Sequence, residues 1–339
     1  METKLRQADG PAVALAAELL KGGGIVAIPT ETVYGIAASA LDGAAVKKIF
    51  EAKGRPQDNP LIVHIDRLEM LEGLVGSVPE RAKKLAEAFW PGPLTMILPR
   101  GPRVAAEVCA GLDTVAVRMP SHPVARAVIT ACGLPLAAPS ANLSGSPSPT
   151  TAHYVMEDMR GRLPLILDGG ECQVGVESTV VSLAGPQAVL LRPGYITQEQ
   201  LQEVLGEKVL LSGAILEKLK EGETARSPGM KYKHYAPRAE VTIVKGEFRA
   251  YCRYVQQHAE PGTFCLCFAG EGGALPVPSV EYGAAQNGAD QAKHLFTALR
   301  QLDERGAKRV FARCPAATGV ALAVYNRLLR AAAFRVVEA

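Results

Sequence analysis

No apolar run in this 339-residue chain approaches the ~18 residues that a membrane-spanning helix needs, although 48% of its residues are hydrophobic and only 21% are charged. A helical membrane span and a disordered chain are both excluded on that ground, and a globular protein is left. Met1 to Gly10 lacks the basic-then-apolar order of a secretory leader. The seven cysteines (Cys109, Cys132, Cys172, Cys252, Cys265, Cys267, Cys314) contain no C-x-x-C and are odd in number and scattered, so reduced thiols in a cytoplasm are expected. Cys265 and Cys267 read as two small apolar side chains on one face of a strand. The 24 prolines and 33 glycines follow no period, which excludes a repeat or low-complexity architecture.

Also missing is a strong excess of one charge. The first 206 residues hold 18 Lys and Arg against 21 Asp and Glu, so the larger part of the chain cannot bind nucleic acid through bulk electrostatics. Any cations that matter there are placed locally. Residues 207–238 hold 7 basic against 4 acidic side chains, and residues 239–339 hold 12 against 9.

Several signatures of common chemistry are absent: there is no G-x-x-x-x-G-K-[ST], no G-x-S-x-G and no H-E-x-x-H. Gly22-Gly23-Gly24-Ile25-Val26-Ala27 fits G-x-G-x-x-A by letter. It follows a helix and opens a strand, the reverse of what a dinucleotide site requires.

What is present predicts two domains, as the length suggests. Up to Gly206 the pattern gives helices at Pro11–Lys21, Asp42–Lys53, Pro79–Trp90, Pro123–Cys132 and Thr197–Leu205. Strands are expected at Ile25–Ile28, Leu61–Ile65, Leu94–Leu98, Thr114–Arg118, Leu134–Ala138, Leu165–Leu167, Ser178–Leu183 and Ala188–Leu191. Helices separate some strands and hairpin-like spacings separate others, the mark of an open, twisted α/β sheet with mixed strand directions. Residues 239–339 alternate strand and helix as a small parallel α/β, Rossmann-like domain. Between them, residues 207–238 carry little periodic signal, and Arg226 to Arg238 is basic and aromatic without a single acid. That stretch is chemically too loaded for a spacer and is expected to fold over the first domain as a lid.

The strongest chemical signal is Lys53-Gly54-Arg55-Pro56 with Asp58-Asn59-Pro60 beyond it. Two cations one glycine apart, at a helix end, can converge on one anion, the lysine as a point charge and the arginine as a planar fork. A solvated helix end is the plainer reading of that pair alone. Ser140-Ala141-Asn142-Leu143-Ser144-Gly145-Ser146-Pro147-Ser148 gathers hydroxyls, a carboxamide and backbone N–H groups at a strand end, where α/β sheets place ligands. Pro29-Thr30-Glu31-Thr32-Val33-Tyr34-Gly35 is a second polar cluster after a strand, and His64 alternates with apolar neighbours in Leu61–Ile65. In the Thr114–Arg118 strand, Thr114, Ala116 and Arg118 share a face.

Together with Gly175-Val176-Glu177-Ser178-Thr179-Val180, these segments closely resemble the YrdC-type L-threonylcarbamoyladenylate synthases. Ser227-Pro228-Gly229-Met230-Lys231-Tyr232-Lys233-His234-Tyr235-Ala236-Pro237 resembles the linker of that family's two-domain form. The likeness spans essentially the whole chain. One departure, Gly319-Val320-Ala321 where a second glycine is usual, bears on packing. The resemblance implies condensation of L-threonine, bicarbonate or CO2, and ATP into threonylcarbamoyl-adenylate and pyrophosphate, for threonylcarbamoyladenosine in tRNA. It implies Lys53 and Arg55 as the catalytic cations, and threonine contacts from Thr32, His64, Arg118, Ala138 and Ser178. ATP contacts are implied for Arg55, Asn59, Thr114, Ser140, Asn142, Ser148, Arg192 and Tyr235. A divalent cation, Mg2+ in such enzymes, would come with the ATP phosphates, without assigned protein ligands. The implied partners are these small molecules and a downstream tRNA threonylcarbamoyl transferase machinery, with at most a weak tRNA contact and no membrane. An RNA-binding module without catalysis, and carbamoyl transfer from another donor, are the competing readings. Lys53 and Arg55, read as lying at a helix terminus, are expected to matter for turnover and not for the fold.

Overall fold

The computed structural model describes residues 1–217 and 235–339. Residues 218–234, which hold most of the stretch expected to act as a lid, lie outside the described residues. Local signals set the helices of the first lobe. Asp9 caps Gly10–Lys21 by accepting from the Ala12 N–H at 2.8 Å. Asp42 caps Gly43–Lys53 by accepting from the Ala44 and Ala45 N–H groups, and Gly54 ends that helix at φ 60°, a left-handed conformation that favours glycine. The last residue of the helix is Lys53, so this capping geometry fixes where Lys53 and Arg55 emerge.

The first lobe is built on an 11-stranded mixed sheet. In spatial order its strands are Lys4–Gln7, Leu165–Asp168, Val26–Ile28, Gly35–Ser39, Leu136–Ala137, Ile62–His64, Thr114–Arg118, Leu94–Pro99, Thr179–Ser182, Val189–Arg192 and Leu210–Leu211. Ile62–His64 pairs parallel with Thr114–Arg118, and Leu94–Pro99 runs antiparallel to that strand and parallel to Thr179–Ser182. The final strand comes from beyond Gly206, and a 3-10 turn at Gly213–Ile215 follows it. Three strands here, Lys4–Gln7, Gly35–Ser39 and Leu210–Leu211, and the helices Ala106–Cys109 and Ala152–Met159 are not foreshadowed by the sequence pattern.

The second lobe is a five-stranded, all-parallel sheet ordered Ser279–Glu281, Thr263–Cys267, Arg309–Arg313, Glu240–Lys245, Val336–Glu338. Helices Phe248–His258, Gly288–Glu304 and Ala321–Ala331 connect its strands. Cys265 and Cys267 are buried in it, and all seven cysteines of the chain are free. Among the described residues no helix is long and apolar enough to cross a membrane.

The two lobes share their cores. Val33, Val174 and Val176 of the first lobe belong to the second lobe's apolar cluster, and Leu322 of the second belongs to the first lobe's. Between the valines, Gly175 sits at φ 78°, and a Cβ there would lie 2.4 Å from Lys293 Cα, so the close approach of the two chains requires glycine. Arg300 adds a polar tie, with Nη2 2.8 Å from Asp158 Oδ2 and donating to the Pro147 carbonyl at 2.6 Å.

Candidate active site

Strand register places a polar row across the sheet. His64 lies opposite Arg118, Arg118 opposite Thr95, Thr95 opposite Val180, and Val180 opposite Arg192. Side chains directly opposite one another share a face, so His64, Arg118, Thr95 and Arg192 point to one side. A register shift between Leu190 and Arg192 helps aim the last of these. His64 and Arg118 end two parallel strands, the position at which α/β sheets place ligands. The cavity above this row is also lined by Thr30, Thr32, Lys53, Arg55, Ala138, Ser140, Asn142, Glu177, Ser178 and Tyr235.

In the turn after Val26–Ile28, Thr30 Oγ1 donates to the Val33 carbonyl at 2.7 Å and lies 2.9 Å from Thr32 Oγ1. Thr32 Oγ1 in turn accepts from Arg118 Nη1 at 2.9 Å. Arg118 Nη2 lies 2.6 Å from Glu31 Oε1, and both side chains are buried. Burial pulls the Glu31 carboxyl upward, but the Arg118 guanidinium outweighs it and holds the group below the usual carboxylate range. Burial and the same guanidinium pull His64 down to about 3, so its ring is neutral and keeps one acceptor nitrogen. Ser178 Oγ is 2.7 Å from Thr95 Oγ1 and accepts from Arg192 Nη2 at 3.1 Å. Arg192 Nε donates to the Ser178 carbonyl at 3.0 Å, and burial lowers this arginine to about 10, still fully protonated near neutrality.

Lys53 departs from its expected role as a surface cation. It is 3% exposed, and Nζ donates to the Ser140 carbonyl, to the Asn142 carbonyl at 2.7 Å and towards Asn142 Oδ1 at 3.4 Å. Burial and the Arg55 guanidinium draw its pKa down, while three oxygens around Nζ suit the protonated form. Lys53 therefore pins the Ser140–Ser146 loop to the helix end. Asn142 holds the same loop from inside, its Nδ2 donating to the Leu143 and Ser146 carbonyls at 2.8 Å each while Oδ1 accepts from Ser140 Oγ at 2.5 Å. The expectation that replacing Lys53 would spare the fold is corrected by this burial.

Three expected residues, Asn59, Ser148 and Thr114, do not line the cavity, whereas Tyr235 reaches it from the linker. Asn59 is fully buried and does not line the cavity. Ser148, also fully buried, donates to Glu177 Oε1 at 2.5 Å and does not line the cavity. Thr114 stands at the opposite end of its strand from Arg118, roughly 13 Å away at ~3.3 Å per residue. It borders a separate depression with Ile97 and Leu191, and an apolar patch of Ile62, Ile97, Ala116, Val180 and Leu191 joins that depression to the cavity. Tyr235, from the linker's described end, is buried at φ 63° with its ring 5.3 Å from Phe296, and the Ala236 N–H donates to the Gly145 carbonyl.

Sequence reasoning gave no role to Glu31, Glu177 or Arg327. The signal for Arg327 was available. It stands three and four residues from Val324 and Ala323 and four from Ala331, on the apolar stripe of the last helix, where a cation demands a buried acid. Among the described residues no cluster of three or more His, Cys, Asp or Glu side chains is placed to hold a metal ion.

Residues 18–194 match the Sua5_yciO_yrdC family model, described as telomere recombination, and residues 196–333 match the threonylcarbamoyl-AMP synthase C-terminal domain. The threonylcarbamoyl-AMP synthase of Pyrococcus abyssi is 45% identical over 337 residues, covering 96% of this chain and 95% of its own. That of Bacillus subtilis is 48% identical over 335 residues, covering 97% and 95%. The crystal structure of P. abyssi Sua5 complexed with L-threonine superposes with a TM-score of 0.92 at 43% identity, over 100% of this chain and 99% of that one.

Proposed function

Because the chain belongs to the Sua5_yciO_yrdC family in the two-domain form of the threonylcarbamoyl-AMP synthases, we propose that it condenses L-threonine, bicarbonate and ATP into threonylcarbamoyl-adenylate, pyrophosphate and water. In class it is a nucleotidyltransferase, and its product supplies threonylcarbamoyladenosine formation in tRNA through a downstream transferase. The observation that carries this reading is the wall of the cavity: among the described residues, Lys53, Arg55, Arg118 and Arg192 converge there with one carboxylate, Glu177. The threonine amine becomes an N-carboxylate by taking up CO2 or its hydrated form. That anion then attacks the α-phosphorus of ATP, and pyrophosphate leaves. Two anions must meet, and fixed cations offset their repulsion and the charge that grows on the leaving group. No side-chain nucleophile is needed.

In this reading threonine occupies the corner of Thr32, His64, Arg118, Ala138 and Ser178, its carboxylate meeting Arg118. Glu31 keeps that guanidinium aimed before substrate arrives. The base of ATP lies along the apolar patch towards Thr114, with Arg55 and Arg192 near the phosphates and Ser140 and Tyr235 at the rim. Asn59, Asn142, Ser148 and Lys53 contribute by holding those groups in place. The cation-rich wall does not suit a metal held by protein ligands, so Mg2+ is assigned to the ATP phosphates alone. The test is pyrophosphate release from ATP with threonine and bicarbonate omitted in turn. Release must need both, and ATP turnover indifferent to either would rule the reading out.

A further inference from the structure

Glu177 is the single carboxylate among the described residues that line the cavity, and it faces the space in which the proposed reaction gathers anions. An unpaired charge there would repel polyphosphate and compete with it for the arginines. Both of its carboxylate oxygens are instead engaged. Oε1 accepts from Ser148 Oγ at 2.5 Å, and Oε2 accepts from Arg327 Nε at 2.8 Å. Arg327 belongs to the second lobe and is fully buried. Its Nη2 also donates to the Glu177 carbonyl at 3.2 Å, and its Nη1 to the Pro193 carbonyl at 2.8 Å and Asn326 Oδ1 at 2.9 Å. The Tyr235 ring centroid lies 5.7 Å from the guanidinium carbon. One side chain of the second lobe thus grips the two segments that present Ser178 and Arg192.

A buried ion pair of this kind is weak evidence for stability, since well-packed apolar residues of similar volume often serve as well. Its position suggests another use. We propose that Arg327 is a positioning residue for the reaction inferred above: it cancels the charge of Glu177 and fixes the Glu177–Ser178 segment, so that the cavity stays net positive towards ATP. The second lobe is then part of the active site, through a residue that touches no substrate. Burial alone would favour a neutral Glu177, yet Arg327 and Arg192 hold it below the usual carboxylate range, so the charge to be cancelled is present at neutral pH.

The test uses the full-length chain, with pyrophosphate release followed while ATP and threonine are varied separately. Arg327→Met should raise KM for ATP by about 10- to 100-fold, the size of one uncompensated charge roughly 6–12 Å from the phosphates at an effective dielectric near 20, with a smaller effect on KM for threonine. Arg327→Lys should fall between wild type and Arg327→Met. The decisive variant is the double substitution R327M/E177Q, which removes the charge without restoring the tie and should return KM for ATP to within about threefold of wild type. A double variant no better than R327M, or an R327M enzyme with wild-type KM for ATP, overturns the proposal. If R327M does not fold, R327K and E177Q carry the test as single substitutions. R327K should raise KM for ATP and E177Q should leave it unchanged or lower it, and the reverse of either result overturns the proposal. A wild-type chain without threonine-dependent pyrophosphate release would defeat the proposed function itself, a separate and distinguishable failure.

Discussion

Lys53 and Arg55 are separated by one glycine in the sequence and by a large difference in environment. Arg55 is half-buried beside the cavity, whereas Lys53 sits beneath the Ser140–Ser146 loop with three oxygens around its ammonium. Lys53→Met should therefore lose about 2–4 kcal/mol of stability, because buried carbonyls lose their donor, and should lose turnover as well. Arg55→Ala should melt close to wild type and still lose about 10²-fold in turnover, the scale of one preorganised cation at a developing charge. Thermal unfolding and pyrophosphate release on the same two proteins check this, and equal melting losses in both would refute the division of roles. His64 gives a second prediction. Its folded pKa of about 3 lies below the ordinary 6.5, so below pH 6.5 the unfolded chain binds a proton that the native state refuses. The stability due to the neutral ring is complete above pH 6.5 and falls by about 1.4 kcal/mol for each pH unit towards 3. His64→Gln should remove that slope, and denaturant unfolding between pH 6.5 and 4.5 reads it before depressed carboxylates such as Glu31 and Glu177 begin to take up protons. Parallel stability–pH curves for the two proteins would show that the ring is not held neutral. At the threonine corner, a site whose Thr32, Ser178 and His64 groups meet the substrate hydroxyl should reject valine strongly. It should separate serine from threonine by only the ~1–3 kcal/mol of a methyl group, which competition assays measure.

Among the elements, the Ser140–Ser146 loop is braced from inside by the Asn142 carboxamide and from below by the Lys53 ammonium, with further ties from the Leu143 N–H to Asp158 and from the Ala236 N–H to the Gly145 carbonyl, and its shape is part of the cavity wall. Asn142→Ala removes two donated bonds of 2.8 Å each and should speed hydrogen exchange at the Leu143–Ser146 amides, with core strands unchanged and turnover lower by about tenfold or more. Exchange no faster than wild type in that loop would mean that its other ties, Lys53 among them, shape it without the carboxamide. This loop was legible in the sequence because glycine, proline and hydroxyl residues crowd it. The helix before Lys53 was legible through its Asp42 cap and Gly54 end. Other elements left little trace. Gly35–Ser39 reads G-I-A-A-S, fully buried and made mostly of small residues, so neither alternation nor β-branching marks it. Lys4–Gln7 is exposed at every position on the sheet edge, with no apolar face to betray it. Ala152–Met159 spans barely two turns, and Ser279–Glu281 and Val336–Glu338 are three residues each, too short for a period to show. The site divides in the same way. Residues at strand ends and in polar loops were visible, whereas the partners that orient them, Glu31 and Glu177, are single acids whose counter-charges lie 87 and 150 residues further along the chain.

At the scale of the whole molecule, the turn that carries Glu177 is pressed against the second lobe. Gly175 is its closest point, at φ 78° and with no room for a Cβ: Lys293 Cα and the Lys293 and Ala292 carbonyl oxygens lie 2.4, 2.5 and 2.6 Å from where one would be. These are backbone atoms of the Gly288–Glu304 helix, so no rotamer change relieves the clash. Gly175→Ala must push the helix away or distort the turn, at a cost of about 2 kcal/mol or more from strain and lost packing of Val174 and Val176. Either movement loosens Arg327 on Glu177, because the turn carries Glu177 and the Gly288–Glu304 helix packs against the helix that carries Arg327. The expected phenotype is an enzyme that remains folded, melts lower and shows a raised KM for ATP resembling that of the Arg327 variants. Adding Glu177→Gln to Gly175→Ala should then recover much of the ATP affinity and none of the melting temperature, since one defect is electrostatic and the other steric. Recovery of both or of neither would show that the lobes communicate by some route other than this ion pair.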